Sequence, residues 1–317
     1  MTVKALVTGC AGFIGSHLCE SLLLKDWRVT GIDSFLDNYQ TGLKRENLRH
    51  LLGQRGFEFI SDDLLRVPLE RLIKGADYVF HQAGMPGVRD SWGKRFDAYV
   101  SNNILATQWL LEAAKGQSLK KFVFASTSSV YGNTGLLPTT EDHIPRPYSP
   151  YGVTKLAAEH LCLLYHQNYG VPTVALRYFT VYGPRQRPDM AISRFIGCML
   201  DEKPITVYGD GKQKRDFSYV GDIIRANILA AEADVAGDVF NVGSGKPVAL
   251  MEVIGILEEL SGRKAWLEFL PSQRGDVRDT WADIKKISTI LGFVPSTGLR
   301  TGLKEQLEYM KNEKSTN

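Results

Sequence analysis

Short runs of β-branched and aromatic residues recur through the first 180 residues, at 4–7, 28–32, 57–60, 78–81, 122–125 and 174–178. Longer stretches separate them, and at 16–24, 103–115 and 151–169 apolar residues return every three or four positions, the spacing of one helix face. Strands alternating with helices predict βαβ units and a parallel sheet. Right-handed crossovers then place helices on both faces, so the expected fold class is α/β, a doubly wound parallel sheet.

The chain has 317 residues, enough for one large α/β domain or two smaller ones with a full core. Its 38 Lys+Arg against 35 Asp+Glu leave a net charge of +3 with no basic block, so no nucleic-acid partner is expected. No apolar run approaches a membrane span and the N-terminal one is too short for a signal peptide, so no membrane partner is expected. Cys10, Cys19, Cys162 and Cys198 form no C-x-x-C pair, and no histidine sits at metal-ligand spacing. A reducing, cytoplasmic setting without a metal is the expectation. Beyond residue 180 the turn-rich segments 182–189 and 208–212 read as loops over a ligand. A helix at 222–232 and a strand at 240–242 follow, then helices at 250–261 and 299–311 and a frayed tail at 312–317.

Gly9-Cys-Ala-Gly12-Phe13-Ile14-Gly15 directly follows the first strand and opens a helix. A pyrophosphate there meets free N–H groups and the positive end of a helix dipole, and glycine removes the Cβ that would block its approach. Asp33 ends the second strand, placed to accept hydrogen bonds from an adenosine ribose. No arginine follows at once to hold a 2′-phosphate, so the expected cofactor is NAD rather than NADP. Asp63 and Leu64 after the third strand are placed to frame an adenine. Gln82 and Ala83 end the fourth strand beside His81, which reads as structural.

Tyr151 and Lys155 share a helix face, and a nearby ammonium favours the phenolate of a Tyr used as a base. The pattern is short enough to occur by chance, and Tyr208 to Lys212 repeats it in a glycine-rich loop. Only the first follows a helix-start signal, Ser149-Pro150. Thr127, Ser128 and Ser129 end the fifth strand, where hydroxyls point into a ligand crevice and can hydrogen-bond a reacting hydroxyl. A G-x-S-x-G elbow is missing from the sequence, which argues against a serine hydrolase.

With these pieces in order, the chain resembles the extended short-chain dehydrogenases/reductases, and among them the nucleotide-sugar epimerases and dehydratases. The likeness extends to Asn103 in Asn-Ile-Leu-Ala-Thr107, Ser-Val-Tyr-Gly132, the segment 176–184 containing Tyr178 and Thr180, the segment 215–222, and Asn-Val-Gly-Ser-Gly245. It implies a Rossmann domain at 1–178 plus about 217–243, and a smaller C-terminal α/β substrate-binding domain at about 179–216 plus 244–317. It also implies Tyr151 as general base, Lys155 on the nicotinamide ribose, Thr127 sharing the substrate proton with Ser128 and Ser129 as helpers, and Asn103 and Tyr178 at the cofactor. Arg215 matches the family's diphosphate arginine. A second such arginine is replaced by Gln273, with Arg274 and Arg278 beside it.

Thr127-Ser128-Ser129 lacks the acids of the family's 4,6-dehydratases and uronate decarboxylases and is more similar to the 4-epimerases. Thr180 and the run after it resemble the UDP-glucuronate 4-epimerases rather than the glucose/galactose enzymes. The implied activity is NAD-dependent inversion of C4 of a UDP-sugar through a 4-keto intermediate, with UDP-glucose or UDP-N-acetylglucosamine epimerisation and UDP-glucuronate decarboxylation as alternatives. Arg185 is expected to fork a sugar carboxylate, with Arg89 as a second candidate, and Tyr208 to contact substrate. Relatives are commonly homodimers, which here would use helices at about 96–115 and 151–169.

Overall fold

The computed structural model describes residues 2–273 and 275–316, so Arg274 lies outside the described residues. Seven parallel strands form the main sheet: β1 (Lys4–Thr8), β2 (Arg28–Asp33), β3 (Phe57–Ser61), β4 (Tyr78–His81), β5 (Lys121–Thr127), β6 (Thr173–Tyr178) and β10 (Asp238–Val242). Their spatial order is β10-β6-β5-β4-β1-β2-β3. β5 and β6 are buried at every position because helices cover both faces, as parallel sheets require. One face packs on α1 (Phe13–Leu24) and α8 (Val220–Glu232), the other on α5 (Ala106–Ala114) and α6 (Pro150–Tyr169). Leu18, Leu22, Phe80 and Phe122 sit fully inside these layers, each stabilising the fold by roughly 1.5–3 kcal/mol.

Helix α6 shows why the Tyr/Lys pair falls on a helix. The Ser149 side chain accepts the Gly152 N–H at 3.1 Å, Pro150 opens the first turn, and Gly170, with φ 69°, ends it in a left-handed cap. The remaining helices and strands are α2 (Thr41–Leu48), α3 (Leu69–Ile73), α4 (Phe96–Tyr99), β7 (Thr180–Tyr182), α7 (Ala191–Leu200), β8 (Ile205–Tyr208), β9 (Lys214–Tyr219), β11 (Pro247–Ala249), α9 (Leu250–Ser261), β12 (Leu267–Leu270), α10 (Lys285–Leu291) and α11 (Leu299–Thr316). β11, β9 and β7 form one small sheet, and β12 with β8 another. Phe195, Val207, Phe217, Val253, Leu257 and Leu303 pack between them and α7, α9 and α11. Ile287 and Leu291 of α10 pack instead with the large sheet.

Three expectations need correction. The helix expected at about 96–115 does start at Phe96 but is not continuous, passing through a π-helical turn at Val100–Leu105 before α5. The segments 182–189 and 208–212 are not wholly loop, since Tyr182 ends β7 and Tyr208 ends β8. The tail is not frayed through 316: α11 continues to Thr316, with Lys314 paired to Asp201 across the molecule.

Candidate active site

Strand order reverses between β1 and β4, and a cleft opens at their carboxyl ends, where open α/β sheets bind ligands. Gly9 has φ 71°, and a Cβ there would stand 2.8 Å from the backbone of Ala83. A Cβ on Gly15 would stand 2.1 Å from the Gly9 carbonyl oxygen, so α1 can begin this close to β1 only with glycine. Gly12 N–H donates to Gly9 O at 3.0 Å. No side chain caps α1 and no acid sits in its first turn, which leaves its positive end open to an anion. The cradle therefore fits a dinucleotide's diphosphate.

Asp33 accepts the Phe35 N–H at 2.8 Å and the Ala11 N–H at 3.1 Å, which fixes its carboxylate at the cleft edge. Burial raises its pKa, opposed by the Phe35 amide, Lys44 and the Ala11 amide. Lys44, which the sequence reading missed, donates to Leu36 O at 2.5 Å and to Asn38 Oδ1 at 2.6 Å on the same wall. Phe13, Ile14, Asp63, Leu64, Gln82, Ala83, Asn103 and Tyr178 line the cleft as well. Gln82 and Tyr178 are held together by Asn227 of α8, whose Oδ1 accepts from both at 2.9 Å.

His81 is a strut of this wall. The Thr107 hydroxyl donates to Asn103 O at 2.6 Å, so it can only accept the Nε2–H of His81 at 2.9 Å. Nδ1 is then unprotonated and accepts from Thr8, whose oxygen accepts the Ala83 N–H at 3.1 Å. Burial, aided by Lys155, pushes His81 down to about 3, so the ring stays neutral. Asn103 continues the wall: it accepts the Met85 N–H at 2.7 Å and donates to Met85 O at 3.1 Å and to Thr154 of α6 at 2.9 Å.

Tyr151 and Lys155 line the cleft together with Ser126, whereas Thr127, one residue on, sits beside Tyr151 without lining it. The Thr127 hydroxyl hydrogen-bonds the Tyr151 phenol and accepts the Ser129 N–H at 3.2 Å. Ser128 and Ser129 follow in a half-buried 3₁₀ turn. Lys155 lies 4.2 Å over the Phe124 ring, and burial lowers its pKa to about 8. Burial also raises the pKa of Tyr151, opposed by the Thr127 hydrogen bond and then by the Arg187 charge. Among the groups favouring the phenolate are thus Thr127 and Arg187, which the spacing of Tyr151 and Lys155 did not reveal.

Arg185 is the main displacement from expectation. Its guanidinium does not line the cleft but pairs with Glu20 of α1 at 2.7 Å and reaches Ser16 at 3.3 Å. A left-handed backbone at Arg185, φ 65°, turns the side chain to α1 and leaves Arg187, two residues on, facing the cleft. Arg187 is bidentate to Asp189, at 2.9 Å in each contact. The other basic residues gather at the outer loops. Arg89 pairs with Asp276 at 2.7 Å and lies 4.4 Å over the Tyr208 ring. Arg215 donates to Val277 O at 2.7 Å and Arg278 O at 2.8 Å, and Arg278 forks Asp210. Thr180 is half-buried in β7 beside Phe217 of β9.

Comparison with known proteins agrees with this geometry. The crystal structure of UDP-glucuronic acid 4-epimerase from Bacillus cereus in complex with UDP-glucuronic acid and NAD is 49% identical, with a TM-score of 0.95 over 98% of this chain and 100% of that one. UDP-glucuronate 4-epimerase of Thermodesulfobacterium geofontis (strain OPF15) is 41% identical over 96% of this chain and 95% of its own length. A Bacillus subtilis (strain 168) protein named "Uncharacterized UDP-glucose epimerase YtcB" is 46% identical over 98% of both chains. Residues 5–243 match the NAD dependent epimerase/dehydratase family, and the chain belongs to that family.

Proposed function

We propose that this protein is an NAD-dependent UDP-sugar 4-epimerase, an isomerase that interconverts UDP-glucuronate and UDP-galacturonate through a transient 4-keto sugar. The observation that carries the reading is that Tyr151 and Lys155 line the dinucleotide cleft together, with Thr127 beside the Tyr151 phenol. It is supported by a 49% identical structure holding UDP-glucuronic acid and NAD. Residues 1–178 and about 217–243 then serve the cofactor, while about 179–216 and 244–317 grip the nucleotide sugar. The exposure of Leu105, Trp109 and Leu164 on the 96–115 and 151–169 helices supports a homodimer. Among the described residues no helix is long and apolar enough to cross a membrane, and with three of the four free cysteines buried we place the enzyme in the cytoplasm.

NAD held by Gly9, Gly12, Gly15, Asp33 and Lys155 supplies the oxidant and reductant for the sugar carbon. Tyr151 takes the proton of the 4-hydroxyl and returns it, with Thr127 sharing it through their hydrogen bond. Burial favours the neutral phenol, and Thr127 and Arg187 oppose it. Lys155 lies one turn along the same helix face and meets the nicotinamide ribose. Arg89, Arg215 and Arg278 anchor the diphosphate at the outer loops while the sugar turns over. A uronate oxidised at C4 is a β-keto acid, which loses CO₂ when its carboxylate bond aligns with the carbonyl π-system. Arg187, rather than Arg185, is the guanidinium that a carboxylate in the cleft meets.

The test is incubation with UDP-glucuronate, UDP-glucose and UDP-N-acetylglucosamine in turn, with products separated by chromatography and mass. An isobaric galacturonate product is expected. Release of CO₂ identifies a decarboxylase, and exclusive turnover of UDP-glucose, the reading favoured by the Bacillus subtilis relative's name, overturns the uronate assignment. Tyr151→Phe should lower kcat by roughly 10²–10⁴ fold. Wild-type turnover in that variant would refute the assignment of the base.

A further inference from the structure

Tyr151 lies in the first turn of α6, the part of a helix that frays most readily, and a side chain ties that turn down. The Thr154 hydroxyl donates to Tyr151 O at 2.8 Å. Having one hydrogen, it meets the Asn103 amide nitrogen 2.9 Å away as an acceptor. The orientation of that amide is set by other partners: its oxygen accepts the Met85 N–H at 2.7 Å, and its nitrogen also donates to Met85 O at 3.1 Å. Both hydrogens of the Asn103 amide are therefore used. Asn103 is 1% exposed and Thr154 0%, so bulk water replaces neither partner.

Asn103 itself sits in the π-helical turn at Val100–Leu105, a rare form in any helix. Thr107 donates its hydroxyl to Asn103 O at 2.6 Å and accepts from His81, whose other ring nitrogen reaches Thr8, the residue before Gly9. The same first turn of α6 is pressed against the turn after β5, because a Cβ on Gly152 would stand 2.6 Å from Ser129 O. The Tyr99 ring, just before the π-helical turn, meets the Tyr151 ring edge-on at 6.3 Å.

We propose that Thr154 is a positioning residue for the proton acceptor: its hydroxyl, donating to Tyr151 O and accepting from Asn103, sets the first turn of α6 against the π-helical turn and so places the Tyr151 phenol in the cleft. The inference rests on the reading of Tyr151 as the base and deepens it. Without that hydroxyl one buried N–H of Asn103 has no acceptor, and the two helices must shift to find it another. A displacement of about 1 Å is enough to spoil a proton transfer. The outer loops that carry Arg215 and Arg278 touch neither Thr154 nor Asn103, so the grip on the nucleotide is left as it was. The loss therefore falls on kcat rather than on KM.

The experiment measures kcat and KM at saturating NAD, on whichever UDP-sugar the wild-type protein turns over, for Thr154→Val and Thr154→Ser. Thermal melts give the folded fraction, and kcat is counted per folded molecule. Val copies the shape of Thr without its hydroxyl, and kcat should fall about 10- to 100-fold while KM stays within about twofold. Ser keeps the hydroxyl and should retain at least roughly half of the wild-type kcat. A role in packing alone gives the reverse order: Ser, which leaves a methyl-sized gap, would melt below Val, and kcat would be unchanged in both. Thr154→Ala takes the place of Thr154→Val if the latter does not fold. Wild-type kcat in the variant without the hydroxyl overturns the proposal, and so does a Ser variant as slow as it, or a loss that lies wholly in KM. Full activity in Tyr151→Phe is a different failure, that of the base assignment, and is read independently of these variants.

Discussion

Lys155 shows the conflict a functional residue brings into a core. The side chain is 5% exposed, and burial holds its pKa down at about 8 against an ordinary 10.5. Below pH 8 both folded and unfolded chains carry the proton, so the folded state bears the whole cost of an ammonium in apolar surroundings. Between about 8 and 10.5 the folded chain has shed the proton while the unfolded one still holds it, so this group's contribution to stability rises with pH. In the cofactor-free protein, Lys155→Met should therefore be more stable than wild type by on the order of 2–3 kcal/mol at pH 7, with the gap closing above about pH 10. Its epimerase activity should collapse. Urea unfolding at the two pH values checks this, and a Met variant less stable at pH 7 would contradict it. The Tyr151/Lys155 pair was legible because a helix makes positions four apart neighbours whatever surrounds them. Which of Arg185 and Arg187 faces the cleft was not, since one left-handed dihedral at Arg185 decides it and leaves no trace in residue type.

Elements with a strong periodic signal were readable, and those whose form is set by tertiary contacts were not. The seven expected strands, including that at 240–242, all appear in the main sheet, because runs buried on both faces, as in β5 and β6, are mostly apolar. β7 and β11, of three residues each, and the four-residue β8 and β12 carry too few side chains to alternate visibly. The π-helical turn at Val100–Leu105 was likewise hidden, since Asn103 is drawn to Met85 and Thr154, partners far off in sequence. The cradle of α1 makes the clearest element-scale prediction. In Gly15→Ala the new methyl would meet the Gly9 carbonyl at 2.1 Å, and backbone rather than a flexible side chain must yield. Overpacking of this kind costs about 1–3 kcal/mol. The displaced turn is also the one that meets the diphosphate, so NAD affinity should fall on the order of tenfold or more. Isothermal titration with NAD measures it, and unchanged affinity would show that the close approach of helix and strand does not matter to binding.

At the scale of the whole molecule, a buried polar chain fastens the sheet to the loops above it. Arg177 of β6 forks Glu159 of α6 at 2.6 and 3.0 Å, and Glu159 accepts from Ser126 of β5 at 2.6 Å. Arg177 also donates to the Tyr131 hydroxyl at 2.7 Å, and Tyr131 donates to Asn241 of β10 at 2.7 Å. Asn241 N–H in turn donates to Glu141 at 2.7 Å, so the chain spans three strands, a helix and the loop before α6. Neither Arg177 nor Glu159 was legible as a pair, because 18 residues separate them and only the crossover from α6 to β6 brings them together. With side chains 6% and 1% exposed, their attraction does little more than offset the desolvation of both, whereas removing one partner strands the other charge. Arg177→Met should therefore destabilise the protein by about 3–5 kcal/mol. Adding Glu159→Leu should return part of that loss, although Ser126 then loses its acceptor and the cleft wall its alignment. Urea unfolding of the single and double variants decides the matter. If the double variant is as unstable as the sum of the two single ones, the pair is not coupled, and the cost of an unpaired buried charge is not what holds these elements in register.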